Sequence, residues 1–207
     1  MKESKLYLYG ASGHGKVIAE IADLLKITIG GFIDANPLIK ELLEYPVSTK
    51  LPTGDSVLFI SIGNNCIRKK LTEELKSQRF ITLIHPKSTL SHRATIGDGT
   101  VVMAGVTVNP DTNIGKHAIL NTNCSVDHDC KIGDFVHVSP NAALAGGVSV
   151  GEGTHIGIGA CVIQGIRIGK WCTIGAGAVI IRDVPDGATV VGNPGRIIKV
   201  DNNISEH

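Results

Sequence analysis

The chain is poor in aromatic rings, in charge of one sign and in long apolar runs. Aromatics make up 4% of its 207 residues, so stacked aliphatics must build most of the core. Twenty basic residues against nineteen acidic leave a formal charge of +1. That gives no electrostatic footprint for nucleic acid or for an anionic membrane surface. There is no run of eighteen apolar residues and no basic start leading into an apolar stretch, so neither a membrane span nor export is expected. The five cysteines are odd in number and contain no Cys-x-x-Cys pair, which makes a reducing cytoplasm the natural compartment.

What is present is a repeat. From Thr95 to Val184 a six-residue pattern holds without a slip, and its second position, from Ile96 to Ile180, is Ile, Val or Leu in all fifteen hexads. The sixth positions, Thr100 to Val184, are nearly all small or β-branched, and Gly often takes the third or fifth place. A period of six fits neither a helix nor a single strand; it fits a β-solenoid in which each hexad supplies one short strand and one corner. Second-position aliphatics then stack inward, and the small sixth residue and the glycines allow the corner. Three hexads to a triangular coil predict about five coils, each adding about 4.8 Å. Cys124, Cys130 and Cys172 sit at sixth positions and are expected to fill space as small hydrophobes.

Before the repeat, strands alternate with helices. Lys5–Tyr9, Ile27–Ile33, Ser56–Ile62 and Phe80–Ile84 read as strands, and Lys16–Leu25 and Cys66–Gln78 as helices. This predicts a small parallel sheet of Rossmann-like type over residues 1–85, with the solenoid and a polar tail over 86–207. The turn Gly10-Ala11-Ser12-Gly13-His14-Gly15 follows the first strand, where a doubly wound sheet binds ligands and a helix start offers N–H groups to phosphate. Its Gly-x-x-Gly-x-Gly spacing departs from the dinucleotide fingerprint, so a purely structural tight turn competes with that reading. Asp34, at the end of the second strand, could accept from ribose or base, or simply make a turn. With Gly63-Asn64-Asn65 they suggest a nucleotide held by its diphosphate, with no motif for a whole NAD.

Within the repeat, polar departures carry the chemistry. Asn121 to Asp129 places His128 beside a carboxylate, a pairing suited to taking a proton near neutral pH; an ordinary surface pair is the competing reading. His137 and His155 share the first hexad position eighteen residues apart and should stack on adjacent coils, facing a ligand, a neighbouring subunit or solvent. His92 and His117 are expected at the surface.

The Gly10–Gly15 turn, the stretch Ser61 to Lys70, Asn121-Thr122 leading to His128-Asp129, and Gly192-Asn193-Pro194 resemble the bacterial UDP-4-amino-sugar N-acetyltransferases of bacillosamine-type pathways. These belong to the sialic-acid O-acetyltransferase-like sugar acyltransferases with a left-handed parallel β-helix. The resemblance runs from Leu6 to about Lys199. It implies a cytoplasmic homotrimer that uses acetyl-CoA without a metal, His128 as general base and Asp129, where the family often has Glu, supporting it. It further implies that His137, Gly146, Ile158 and Ala176 line the acetyl-CoA site. Ser12, Gly13, His14, Asp34, Gly63 and Asn64 would then hold the nucleotide sugar, with Ala35 where the family commonly has a second acid.

The implied reaction is direct acetyl transfer to the 4-amino group of a nucleotide-linked, UDP-type sugar in a groove between two subunits. Backbone N–H groups at Gly146 would stabilise the oxyanion. Two rivals are an O-acetyltransferase of the same fold and a γ-type carbonic anhydrase holding zinc through three histidines. His117 stands at a fifth position and His137 and His155 at first positions, which speaks against the second. A non-catalytic binding module would leave Asn121 to Asp129 without a role.

Overall fold

The computed structural model describes residues 4–201. The N-terminal unit holds β1 (Lys5–Tyr9), α1 (Gly13–Leu24), β2 (Ile29–Ile33), β3 (Glu41–Leu42), β4 (Tyr45–Ser48), β5 (Ser56–Ile60) and α2 (Asn65–Glu74). Its sheet runs in the order β3-β4-β2-β1-β5. β2, β1 and β5 are parallel, and the short hairpin β3–β4 closes the far edge. Along β1 the side chains alternate between the main core and a small one. Leu6 and Leu8 pack toward α1 and onward into the solenoid, and Tyr7 and Tyr9 face Ile33, Leu58 and Leu75. The sequence missed the hairpin: Leu42-Leu43-Glu44-Tyr45 contains no glycine, yet Leu43 and Glu44 take the positive φ angles of its turn.

The solenoid is a triangular prism of two-residue strands, each six residues after the last. The first face stacks Leu83–Ile84, Val101–Val102, Ile119–Leu120, His137–Val138, His155–Ile156 and Thr173–Ile174. The second face starts with Thr89–Leu90 and ends with Val179–Ile180; the third runs from Thr95–Ile96 to Arg167–Ile168. The periodicity thus begins at Leu83, two hexads before Thr95, with Ile84 and Leu90 as second positions and Ser88 and Ala94 as sixth. Fourteen of the fifteen predicted second-position aliphatics are buried, and Ile96, nearest the start, is half-buried. All fifteen sixth positions are buried, Cys124, Cys130 and Cys172 among them. The prism is capped by Ala188–Val191, which continues the first face in parallel, and Arg196–Val200, antiparallel to it. Lys199 therefore lies in a strand instead of opening a frayed tail, and residues 202–207 of that predicted tail fall outside the described residues.

The corners follow a rule that the sequence pattern showed only in part. At fourteen consecutive fifth positions, from Gly99 to Gly177, φ lies between 51° and 73°. Half of these residues are not glycine. Asp and Asn tolerate this left-handed conformation, whereas His117, Phe135 and Trp171 do so at a steric cost. These three stand in one column at the edge between the third and first faces, where the N-terminal unit sits against the prism. The ring of His117 occupies the space above Gly99, and Trp171 that above Gly153. A glycine one coil below makes room for each of these two rings, whereas Phe135 stacks directly on His117.

Candidate active site

The edge between the second and third faces carries Asp127, His128 and Asp129. Thr112, one coil below, staples it: its hydroxyl donates to the Asp127 carbonyl at 2.6 Å and accepts from Cys130 N at 3.2 Å. Asp127 Oδ1 accepts from His128 N at 2.8 Å and from Asn109 Nδ2 at 2.6 Å. The positive φ of Asp129 (60°) turns its short side chain back to the imidazole, with Nδ1 and Oδ2 2.7 Å apart. A carboxylate only accepts, so Nδ1 carries the proton and Nε2 of the neutral ring is bare. The bond to Asp129, followed by the charge of Asp127, raises the pKa of His128 above the ordinary histidine value. Gly146 lies one coil above. A Cβ there would stand 2.6 Å from both Cε1 and Nε2 of His128, so only glycine leaves the ring its place.

The first face carries the other elements. His137 and His155 stack with ring centroids 4.9 Å apart and planes 12° apart. His137 Nδ1 faces the Gly63 carbonyl at 3.4 Å, and its Nε2 meets Asn121 Nδ2 at 3.1 Å. Since Gly63 O only accepts and the amide nitrogen only donates, the proton resides on Nδ1. His155 Nε2 pairs with Ser139 Oγ at 2.8 Å. Burial, then the charges of His155, Arg68 and His14, pushes His137 down to about 3, so it stays neutral. A groove of about 540 Å³ runs over Asn121, His137, Ser139, His155, Ile158 and Ala176. Ile158 is 58% exposed there, a large apolar side chain left bare.

Beside this groove lies the carboxyl edge of the small sheet. Gly10 and Gly15 are glycines for packing reasons, because a Cβ would strike Ile62 or the Gly10 carbonyl. Gly13 and Gly63 differ: neither has a positive φ, and a Cβ on either would meet nothing within 4 Å. Among the described glycines they alone have neither reason, and both border open space at the ends of the adjacent strands β1 and β5. Asn64 caps α2 by accepting from Ile67 N at 3.0 Å, whereas the Ser12 hydroxyl makes no capping bond to α1. The first-turn N–H groups of α1 therefore face that space uncapped, the arrangement that binds phosphate. His14 is pushed down to about 4 by burial and then by Arg68, and its buried Nε2 has no hydrogen-bond partner among the described residues. Asp34 braces the turn: Oδ2 accepts from Ala11 N at 2.8 Å and Oδ1 from Asn36 N at 2.9 Å.

The structure thus gathers Ser12, Gly13, His14, Gly63 and Asn64 with His137, Ile158 and Ala176 on one side of the molecule. His128, Asp129 and Gly146 stand on the edge opposite the first face. The expectation that His117 lies at the surface is corrected. It is 7% exposed, edge-on to Phe80 at 4.9 Å and stacked on Phe135 at 5.5 Å. It is therefore remote in environment from the His137–His155 pair, and the described residues contain no cluster of three His, Cys, Asp or Glu placed to hold a metal. Asn109, Thr112 and Arg68 were missed. The first two lie eighteen residues before Asp127 and Cys130, so a scan at one-coil spacing would have found them.

Residues 5–75 match the family model described as the PglD N-terminal domain. A curated relative, the UDP-N-acetylbacillosamine N-acetyltransferase of Bacillus subtilis (strain 168), is 42% identical over 115 residues, 47% of this chain. The match spans half the length of that relative. A solved H141N mutant of perosamine N-acetyltransferase from Caulobacter crescentus, in complex with CoA and GDP-perosamine, is 39% identical. The match covers 95% of this chain and 97% of that one, with a TM-score of 0.91. The acetyltransferase domain of PglB from Neisseria gonorrhoeae, in complex with acetyl coenzyme A, is 40% identical over 95% of this chain and 100% of that one, with a TM-score of 0.87. Sharing its left-handed β-helix, its N-terminal unit and this level of identity over nearly the full chain, the protein belongs to the sugar N-acetyltransferase family.

Proposed function

We propose that the protein transfers acetyl from acetyl-CoA to the 4-amino group of a nucleotide-linked 4-amino sugar, UDP-linked in the first instance, with His128 as general base. The observation that carries this reading is the His128–Asp129 pair, held at 2.7 Å on a stapled corner with a glycine above the bare ring nitrogen. Gly13 and Gly63, with the uncapped start of α1, support a diphosphate site. The groove over His137, Ile158 and Ala176 supports acetyl-CoA binding, and the relatives named above were solved with CoA or acetyl-CoA.

The two halves stand on opposite sides of the prism, so one site needs two chains. The edge with His128, Asp129 and Gly146 of one protomer would close on the groove of its neighbour, and a cyclic arrangement of three satisfies every edge and every groove. Exposed Ile158, Ile163 and Ile181 border the second face that such packing would cover. The free cysteines suit the cytoplasm.

In the reaction the sugar amine attacks the thioester carbonyl. The C–N bond forms, the C–S bond breaks, and His128 Nε2 takes the ammonium proton and returns a proton to the leaving thiolate. Asp129 holds the imidazolium, and the N–H of Gly146 is the donor for the developing oxyanion, its neighbours Ala145 and Gly147 donating instead to Val162 O and His128 O. His137 and Asn121, both neutral, orient the bound groups. The test is thiol release from acetyl-CoA with UDP- and GDP-linked 4-amino sugars against hydroxyl sugars and sialic acid, with mass analysis of the product. An acetamide on the amino sugar is expected; an acetyl ester alone would make the protein an O-acetyltransferase.

A further inference from the structure

Arg68 is 1% exposed and its hydrogen-bond partners among the described residues include no carboxylate, yet it is a cation at the seam between the two units. Its guanidinium is met by carbonyls and one amide. Nε donates to His117 O at 2.7 Å and Nη2 to Phe135 O at 2.7 Å, both corner carbonyls of the prism. Nη1 donates to Ile62 O at 3.0 Å and Gly63 O at 3.2 Å, in the loop bordering the open space below α1. Nη2 also reaches Asn65 Oδ1 at 2.9 Å, and Asn65 Nδ2 in turn donates to Gly153 O at 2.9 Å. Only a planar five-donor group can meet these acceptors in one plane; a lysine ammonium has three donors converging on a point.

Gly63 therefore has two tasks. Its α-carbon borders the ligand space, and its carbonyl is fixed from behind by Arg68 while facing His137 Nδ1. We propose that Arg68 is a positioning residue that sets loop 62–65 against the prism, and through the Gly63 carbonyl fixes the tautomer of His137 and the register of the nucleotide-sugar site over the acetyl groove. The proposal rests on the reading given under Proposed function. A cation buried in this way is costly to desolvate if its acceptors are incomplete, and here four of its five acceptors are backbone carbonyls drawn from both units. The same charge, within reach of His14, His137 and His155, disfavours protonation of all three. They are the groups that face the loop from α1 and from the first face.

The experiment compares Arg68→Lys and Arg68→Gln with the unaltered protein. Two properties are measured: binding of UDP and GDP by calorimetry, and the ring-nitrogen NMR signals of His137 across pH. Loss of charge-assisted bonds predicts nucleotide affinity weakened about 10-fold or more, with CoA binding changed far less. His137 should move from one Nδ1–H tautomer to a mixture and titrate at higher pH. A merely structural tether would lower the melting temperature and leave the tautomer and the UDP-to-CoA affinity ratio unchanged, and that result overturns the proposal. Should neither variant fold, the unaltered protein decides: the Arg68 Nε–H NMR signal is expected to shift when UDP is added, and an unmoved signal at saturating UDP overturns it. If the unaltered protein binds neither UDP nor GDP, the nucleotide reading fails, whereas the His137 tautomer in the variants still tests Arg68.

Discussion

Two edges of the prism share one backbone and differ in what stands at the left-handed fifth position. Between the third and first faces it is His117, Phe135 and Trp171, with Gly99 and Gly153, and the three rings fill the seam under the N-terminal unit. Between the second and third faces it is Asp111, Asp129 and glycine, and the edge is bare. In both places the coil geometry is set by the buried second- and sixth-position residues, so the fifth residue is free to be chosen for what it meets. At one edge it glues two units together; at the other it turns a carboxylate onto a histidine. The two buried or bare histidines answer oppositely to their surroundings: His117 is pushed down to about 4 by burial, and His128 is raised by Asp129.

The contrast is broken most severely at the bare edge. His128→Ala should lower kcat by about 10²–10⁴ while the protein folds and assembles normally; an unchanged turnover would remove the histidine from the reaction. Gly146→Ala should come next, because the new methyl displaces the ring. A misplacement of this kind costs about 10²-fold, and steady-state kinetics would show it in kcat with the melting temperature nearly unaltered. Wild-type turnover would mean that the ring need not lie there.

At the glued edge the effect should appear in stability. Phe135 is half-buried, and Phe135→Ala should cost about 2 kcal/mol by denaturant unfolding, with the His128–Asp129 pair left intact. The smallest effect is the difference in pH response. His14, His117 and His137 are held neutral in the fold but protonate near 6.5 when unfolded. The unfolded chain therefore binds more protons below that value, and stability falls as pH drops from about 6.5 toward 4. The raised value of His128 acts in the other direction, favouring the fold at low pH and losing that contribution as pH rises through it. A melting series should show His117→Phe flattening the acid slope and His128→Gln leaving it.

Much of the fold was legible because the hexad ties residue type to place: a buried aliphatic at the second position and a small residue at the sixth leave one solution. The two hexads before Thr95 are hard to see in the sequence because His85-Pro86 reads as a domain join, which hides Ile84 and Leu90. The His128–Asp129 pair was legible as neighbours in sequence, but the reach of the shorter acid depends on the corner, where a positive φ brings it to 2.7 Å. His117 was misplaced since a polar residue at a corner reads as solvent-facing; Phe80 and Phe135, which bury it, lie 37 residues before it and 18 after it. Arg68 was hidden for a like reason. Its partners are backbone carbonyls of distant corners, and carbonyls leave no trace in side-chain pattern.

The central claim is that one site is built from the His128 edge of one chain and the groove of another, and subunit complementation tests it most directly. His128→Ala removes the proposed base, and Ala176→Trp fills the groove on the other side. Each variant alone should be inactive. Co-assembled in equal amounts around a cyclic interface, they should recover about one quarter of wild-type activity, because an intact edge then meets an intact groove in about one interface of four. Mixed assemblies as inactive as the two parents would place both halves within a single chain and contradict the account.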